Sequence, residues 1–170
     1  RILAASLDEY QFMAREGNQG VPGSDGDLGD TYADSETVLA SKKVNSASYS
    51  ASMAAAGATV SIYDNLTAIE NYAAGLTVGE LEALVNGNSA ESVVEAVAGA
   101  TLVDTSGYIR AIIEAARVAA ATEGFEYDGD AAALRLAQTA YGAHGTGGFA
   151  IASVAVAEDS VVLCYLDEFQ

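Results

Sequence analysis

The chain has 170 residues, with 24 acidic against seven basic side chains, which gives a formal net charge of −17. Nucleic acids and anionic membrane surfaces bind clustered lysine and arginine, so this charge excludes a nucleic-acid-binding protein and fits an exposed or secreted one. Apolar residues make up 51% of the chain, enough for a hydrophobic core, and no run reaches the ~18 apolar residues of a membrane helix. We therefore expect a folded domain without membrane insertion.

The first predicted element is a strand over Arg1–Phe12, in which apolar residues precede the polar pair Asp8-Glu9. Ala14–Glu36 contains the only proline and several glycines and is predicted to be a loop. Three acidic residues match positions one, three and twelve of a calcium-loop template: Asp25, Asp27 and Glu36. Gly29 and Asp30 break the template at positions five and six. The pattern favours a solvated acidic loop, with a calcium site as the weaker alternative.

Helical periodicity is strongest in the middle of the chain. Val38–Ala56 is predicted to be helical in part, and three further helices are predicted at Val60–Ala74, Glu80–Asn86 and Asn88–Val97. Thr77 and Glu80 form a capping-box pattern at the start of the second of these helices. Gly75 is typical of a helix stop after the first.

A stretch with almost no side-chain bulk follows, and it leads into a longer amphipathic helix. The stretch is Ala98-Gly99-Ala100-Thr101, and the N-cap candidates after it are Asp104, Thr105 and Ser106. Apolar residues recur at helical spacing after these caps: Ile109, Ile112, Ile113, Ala116 and Ala120. Such a bare backbone before a helix can approach an anionic group closely. Local pattern alone favours a tight interhelical turn followed by a core helix.

The C-terminal part is predicted to hold one more helix, at Ala131–Tyr141, and then a β-hairpin. The two hairpin strands are Phe149–Ala157 and Val161–Phe169, joined by a short polar turn. Cys164, the only cysteine, is expected to be buried within the second strand. The predicted fold class is α+β, with a helical cluster packed on a small antiparallel sheet built from the terminal strands and the hairpin.

Two similar hexapeptides occur near the ends of the chain: Ser6–Gln11 reads SLDEYQ and Tyr165–Gln170 reads YLDEFQ. This repeat indicates that the chain is one period of a tandem array and that its ends fall within a domain. On this interpretation 1–142 is one α+β unit that starts in the middle of a hairpin, and 143–170 opens the next repeat. The alternative is that the terminal strands complete a sheet, within one chain or between chains.

The residues themselves carry no enzyme signature. His144, the only histidine, lies in a glycine-rich stretch without a nucleophile elbow nearby. That stretch, Gly142–Gly148, lacks the lysine of a phosphate-binding Walker loop and precedes a strand. These residues therefore indicate neither a hydrolase nor a transferase.

Several segments of the chain resemble segments of one protein family. Glu95–Thr101 (EAVAGAT), followed by Tyr108–Ala116 (YIRAIIEAA), resembles the C-terminal segment of the FMN-binding domain family. Tyr63–Tyr72 and Gly75–Leu81 resemble segments of extracellular flavin-domain lipoproteins of Gram-positive bacteria. The basic pair and its followers stand roughly where those proteins have a "K-K…Y-G-M" stretch: Lys42-Lys43, Tyr49 and Met53.

The resemblance implies an extracellular or cell-surface protein that carries electrons through FMN. In flavinylated members a transferase joins the FMN phosphate to the final threonine of the motif, which is Thr101 here, and Gly99 and Ala100 would allow close approach. Thr59, in a second A-G-A-T string, is a weaker candidate, and the nearest aromatic residues for the flavin are Tyr63, Tyr72 and Tyr108. The chain departs from the motif in having Ala98 for serine, Glu95 for aspartate and Leu76 for a lysine. A cofactor-free surface or filament subunit of the same fold is the alternative; the partners would be a redox protein or copies of the chain itself.

Overall fold

The computed structural model describes residues 1–22, 36–124, 126–143 and 148–169, and these form five α-helices and five β-strands. The strands are β1 (Tyr10–Ala14), β2 (Thr37–Ser41), β3 (Arg135–Ala143), β4 (Gly148–Ala157) and β5 (Ser160–Phe169). The helices are α1 (Ser46–Ala55), α2 (Ile62–Ala73), α3 (Val78–Gly87), α4 (Ala90–Ala96) and α5 (Thr105–Ala121). The predicted α+β class is confirmed, while Asp25, Asp27 and His144 lie outside the described residues.

Contacts along the chain divide these elements between two compact units. We call Arg1–Leu7 with Ser50–Glu126 the helical unit, and Asp8–Tyr49 with Tyr127–Gln170 the sheet unit. Both units combine an N-terminal segment with a later part of the chain. The predicted boundary after residue 142 and the tandem array stay predictions.

The helical unit is organised around α5, which contacts α2, α3 and α4. As the periodicity predicted, α5 buries Ile109, Ile112 and Ile113, although Ala120 at its far end is exposed. The other helices add fully buried side chains to this core: Ile62, Leu66 and Ile69 from α2, Leu81 from α3 and Val93 from α4. Each buried aliphatic side chain of this size contributes about 1.5–3 kcal/mol, so this cluster is the main stabilising feature of the unit.

Local capping sets the helix ends in this unit. The predicted capping box is present, because Thr77 N donates to Glu80 Oε2 at 2.7 Å and Glu80 N donates to Thr77 Oγ1 at 3.2 Å. Gly75 adopts a φ of 84°, the left-handed conformation that a helix stop needs. At the start of α5, Asp104 is the N-cap residue but makes no capping bond through its side chain.

The predicted strand over Arg1–Phe12 is wrong for most of its length, since β1 begins only at Tyr10. Ile2 exchanges two backbone hydrogen bonds with the end of α2: its N donates to Leu76 O and its O accepts from Gly75 N, both at 2.8 Å. Leu7 N donates to the Glu70 carboxylate at 2.6 Å. This segment therefore belongs to the helical unit. It does not form a strand, because its backbone bonds to the Glu70 side chain and to the Gly75–Leu76 turn instead of to a neighbouring strand.

The sheet unit contains two antiparallel sheets. In the first, β1 pairs with β2, and Met13, Val38 and Ala40 form a buried cluster with Tyr49 of α1. In the second, the strand order is β3-β4-β5, so the predicted hairpin of β4 and β5 is confirmed and gains a third strand. The ring of Phe149 stacks against Tyr10 and Phe169, at centroid distances of 6.4 and 5.3 Å.

Two expectations for the C-terminal part are wrong. Ala131–Tyr141 is not an α-helix: a short 3₁₀ turn at Ala131–Ala133 leads into strand β3, which pairs with β4 over nine residues. Alanine favours a helix in isolation, but pairing with the β-branched and apolar residues of β4 outweighs that preference. Cys164 is exposed, because β5 lies at the edge of its sheet with most of its residues in solvent.

Candidate functional site

The turn Ala98–Thr101 connects α4 to α5 and passes close to the side of α2. Gly99 has a φ of 92°, and a Cβ added there would lie 3.3 Å from the Cβ of Ala68 on α2. Glycine is required for both reasons, the backbone conformation and the space. Ala100 is buried beside it, whereas Thr101 is exposed.

Asn65 of α2 holds this turn in place from inside the helical unit. Its side chain is fully buried, and its Oδ1 accepts hydrogen bonds from Thr101 N at 2.6 Å and from Thr101 Oγ1 at 3.3 Å. Its Nδ2 donates to Ser61 O at 2.9 Å and to Val60 O at 3.3 Å. A buried amide needs such partners, because leaving it unpaired costs about 1–3 kcal/mol. The backbone of Thr101 is therefore fixed and its hydroxyl donates to the same buried oxygen, while the residue as a whole is exposed.

The chain's other A-G-A-T string lies next to a second partner of this asparagine. The first string, Ala56–Thr59, follows α1 and directly precedes Val60, whose carbonyl Asn65 binds. Its Gly57 has a φ of 98°, nearly the value at Gly99, so both strings end a helix in the same way. The interhelical turn expected at Ala98–Thr101 is confirmed, Ala56–Thr59 also lies between two helices, and Thr59 is exposed like Thr101.

An open groove of about 480 Å³ lies along the outer face of α2, next to the second string. Its walls are formed by Asp64, Thr67, Ala68, Asn71 and Tyr72 of α2 and by Ala96 and Ala98. Small-molecule sites typically measure ~300–1,000 Å³, so the groove has room for a ligand of moderate size. Ala98 is the link to the turn, since Thr101 lies three residues further on and does not line the groove.

Sequence reasoning identified part of this arrangement. Of the three aromatic candidates, Tyr72 lines the groove, while Tyr63 and Tyr108 are not among its lining residues. Asn65 was missed, although one signal was available: it lies on the same helical face as Ile62 and Ile69, where an apolar residue is the norm. A polar residue at such a position indicates a buried hydrogen-bonding role.

The electrostatics of the groove do not attract a free anion. Asp64 is its only charged lining residue, and this carboxylate accepts a hydrogen bond from Ser61 Oγ at 2.7 Å at the start of α2. Neither lysine nor arginine lines the groove in the part of the chain that the structure describes. Among the described residues, no basic side chain of the groove is therefore available to pair with a phosphate.

Lys42, part of the basic pair singled out by the resemblance, has a structural position in the sheet unit. Its Nζ lies 2.7 Å from Glu9 Oε2 and 4.7 Å from the ring centroid of Tyr49. Burial opposes the charge, but the hydrogen bonds to Glu9 and Tyr49 outweigh it and raise the pKa of Lys42. This lysine is thus a buried cation within a network and does not belong to the groove.

The described residues contain no group of three or more His, Cys, Asp or Glu side chains arranged to hold a metal ion. Of the predicted calcium ligands only Glu36 is described, and it is exposed beside β2. The calcium loop stays a prediction, since Asp25 and Asp27 lie outside the described range.

Comparisons of the chain with family models, with curated proteins and with solved structures found no match. Within the described residues, every helix falls short of the length and apolar character that a membrane span requires. The groove, the turn at Thr101 and the sequence resemblance are therefore the features that bear on function.

Proposed function

We propose that this chain is an electron-carrying flavoprotein domain in which FMN is joined through its phosphate to the hydroxyl of Thr101. The observation that supports the proposal most is the combination of an exposed Thr101 side chain with a backbone fixed by Asn65. A transferase needs its acceptor hydroxyl in solvent, and a defined backbone lowers the entropic cost of presenting it.

The residues around the turn fit such a group. Gly99 and Ala98 offer no bulky side chain that would hinder a phosphate, and the groove beside Ala98 is within the size range of ligand sites. Tyr72 is the lining residue able to stack on a flavin ring. FMN, when bound, supplies the redox chemistry by accepting and donating electrons.

Attachment is a phosphoryl-group substitution in which the Thr101 oxygen forms a bond to phosphorus. The donor would be a phosphoanhydride of FMN, whose second phosphate group would leave with the electron pair while the hydroxyl proton is released. The product is a phosphodiester with one negative charge. This tether gives the flavin a high effective concentration at the groove, which makes up for the absence of basic residues among those that line it.

The experiment is co-expression of the chain with a flavin transferase, followed by intact-mass measurement and a visible spectrum. We expect a mass increment of FMN less one water, flavin absorbance, and loss of both in Thr101→Ala. Thr59→Ala is the matched control, because it removes the exposed threonine of the other A-G-A-T string, and it should be modified fully. A modified Thr101→Ala variant, or an unmodified wild-type chain beside a modified positive control, would refute the proposal.

The second candidate is a cofactor-free surface or filament subunit, and one observation favours it. Edge strand β5 exposes several large apolar side chains, among them Leu163, Tyr165 and Leu166, which are 52%, 65% and 64% exposed. Exposed apolar edges are typical of surfaces that pair with another chain. A chain that stays unmodified under the transferase but sediments as a large assembly would support this alternative. The resemblance supports an extracellular or cell-surface location for either function.

A further inference from the structure

The echoed hexapeptide has a specific binding role at its first occurrence. Asp8 Oδ2 accepts a hydrogen bond from Ser41 Oγ at 2.5 Å, and Asp8 Oδ1 accepts one from Lys43 N at 3.1 Å. Glu9 forms the ion pair with Lys42 at 2.7 Å, and the Glu9 carbonyl accepts from Lys42 N at 2.9 Å. We call Ser41–Lys43 the basic corner. The segment Leu7–Tyr10 is therefore the ligand of this corner within its own chain.

The second occurrence, Leu166–Phe169, lies within strand β5, but it has the same acidic pair and repeats one local hydrogen bond of the first. Glu168 N donates to Asp167 Oδ1 at 2.9 Å, just as Glu9 N donates to Asp8 Oδ1 at 2.8 Å. Asp167 and Glu168 are exposed on edge strand β5. The aromatic residues that follow each acidic pair, Tyr10 and Phe169, both stack on Phe149.

We propose that Leu166–Phe169 is a second ligand for the basic corner and binds the corner of a second copy of this chain, where it replaces Leu7–Tyr10. Asp167 then accepts from Ser41 and Glu168 pairs with Lys42 of the other copy. The hydrogen bonds and the ion pair that form at the corner between copies are of the same kind as those that Leu7–Tyr10 loses there, which favours exchange of an element between copies. Since the resident segment has the advantage of being in the same chain, exchange depends on protein concentration. This inference is independent of flavin attachment at Thr101.

The first test weakens the resident ligand and measures the association state by sedimentation velocity. Asp8→Asn with Glu9→Gln removes both charges from the resident segment, and we expect this double variant to form dimers or larger assemblies at concentrations where the wild type is monomeric. Adding Asp167→Asn with Glu168→Gln should return it to monomer. The matched control adds Glu158→Gln with Asp159→Asn in the β4–β5 turn instead, which removes the same charge and should leave the assembly intact.

The second test uses the unaltered chain, so that it does not depend on how the variants fold. Labelled (¹⁵N) and unlabelled protein are mixed at high concentration and treated with a carbodiimide, which joins ion-paired amines and carboxylates directly. Lys42 joined to Glu9 within one chain is the internal reference, and we expect a mixed-isotope product that joins Lys42 to Glu168. Two results would overturn the proposal. One is the absence of the Lys42–Glu168 product together with an Asp8/Glu9 variant that stays monomeric. The other is an Asp8/Glu9 variant that still assembles after Asp167 and Glu168 are also replaced.

Discussion

Replacement of Asn65 tests whether one buried amide holds the candidate site together. In Asn65→Ala the turn at Thr101 loses its acceptor at 2.6 Å, and the carbonyls of Val60 and Ser61 lose their side-chain donors. With ~0.5–1.5 kcal/mol for each of these three hydrogen bonds, we expect a loss of roughly 1.5–4.5 kcal/mol in the free energy of unfolding. The measurement is urea unfolding followed by far-UV circular dichroism.

The control for this variant is Asn71→Ala, on the same helix but exposed in the groove wall, where we expect a change within ~0.5 kcal/mol of wild type. Asn65→Asp separates the two halves of the network. Its carboxylate can still accept from Thr101 N but cannot donate to the two carbonyls, and burial raises the pKa of the introduced carboxyl. The destabilisation of this variant should therefore grow as pH rises from 4 to 7. If Asn65→Ala unfolds within ~0.5 kcal/mol of wild type, the asparagine does not organise the site and the reasoning is wrong.

Three further predictions concern single residues. Gly99→Ala should lower the stability of the fold by about 1–2 kcal/mol, because a φ of 92° is unfavourable for alanine and the new Cβ would lie 3.3 Å from the Cβ of Ala68. The control is Gly79→Ala, at a helical position with open space around it, which should not lower stability. Thermal melts distinguish the two variants. Thr77→Ala should cost about 0.5–2 kcal/mol in urea unfolding by removing the capping box of α3, and an equally stable variant would contradict that role. Burial, together with the nearby Asp8 charge, raises the pKa of Tyr10 from 10.0 to about 12. The unfolded chain therefore loses this proton first, and the free energy of unfolding falls as pH rises from 10 to 12. Tyr10→Phe should flatten this fall, and identical pH profiles for wild type and variant would refute the shift.

Most of the helical unit could be predicted because its signals are local. The Thr77–Glu80 box, the stop at Gly75 and the isoleucine stripe of α5 each involve residues a few positions apart. Hydrogen bonds and packing at that distance depend little on the remainder of the chain. The β4–β5 hairpin belongs to the same class, since a short turn joins two strongly β-prone strands.

The failed predictions concern segments whose partners are distant in sequence. The alanine-rich β3 is a strand only because β4 pairs with it, and the apolar start of the chain is not a strand because Ile2 bonds to the end of α2. Sequence reasoning treated Cys164 as buried by its apolar neighbours, whereas its position on an edge strand exposes it. In each case the deciding interaction is one that local propensity does not contain.

The candidate site divides in the same way. The sequence by itself determined that Ala98–Thr101 is a bare turn before a helix, because glycine and alanine have no bulk and the periodicity that follows is helical. Only the tertiary structure decided that Asn65 fixes Thr101, that Tyr72 borders a groove beside the turn, and that the Asn65 amide bonds both to Thr101 and to Val60. The reason is that Asn65 and Thr101 are 36 residues apart in sequence, and the packing of α2 against α5, the helix after the turn, brings them together.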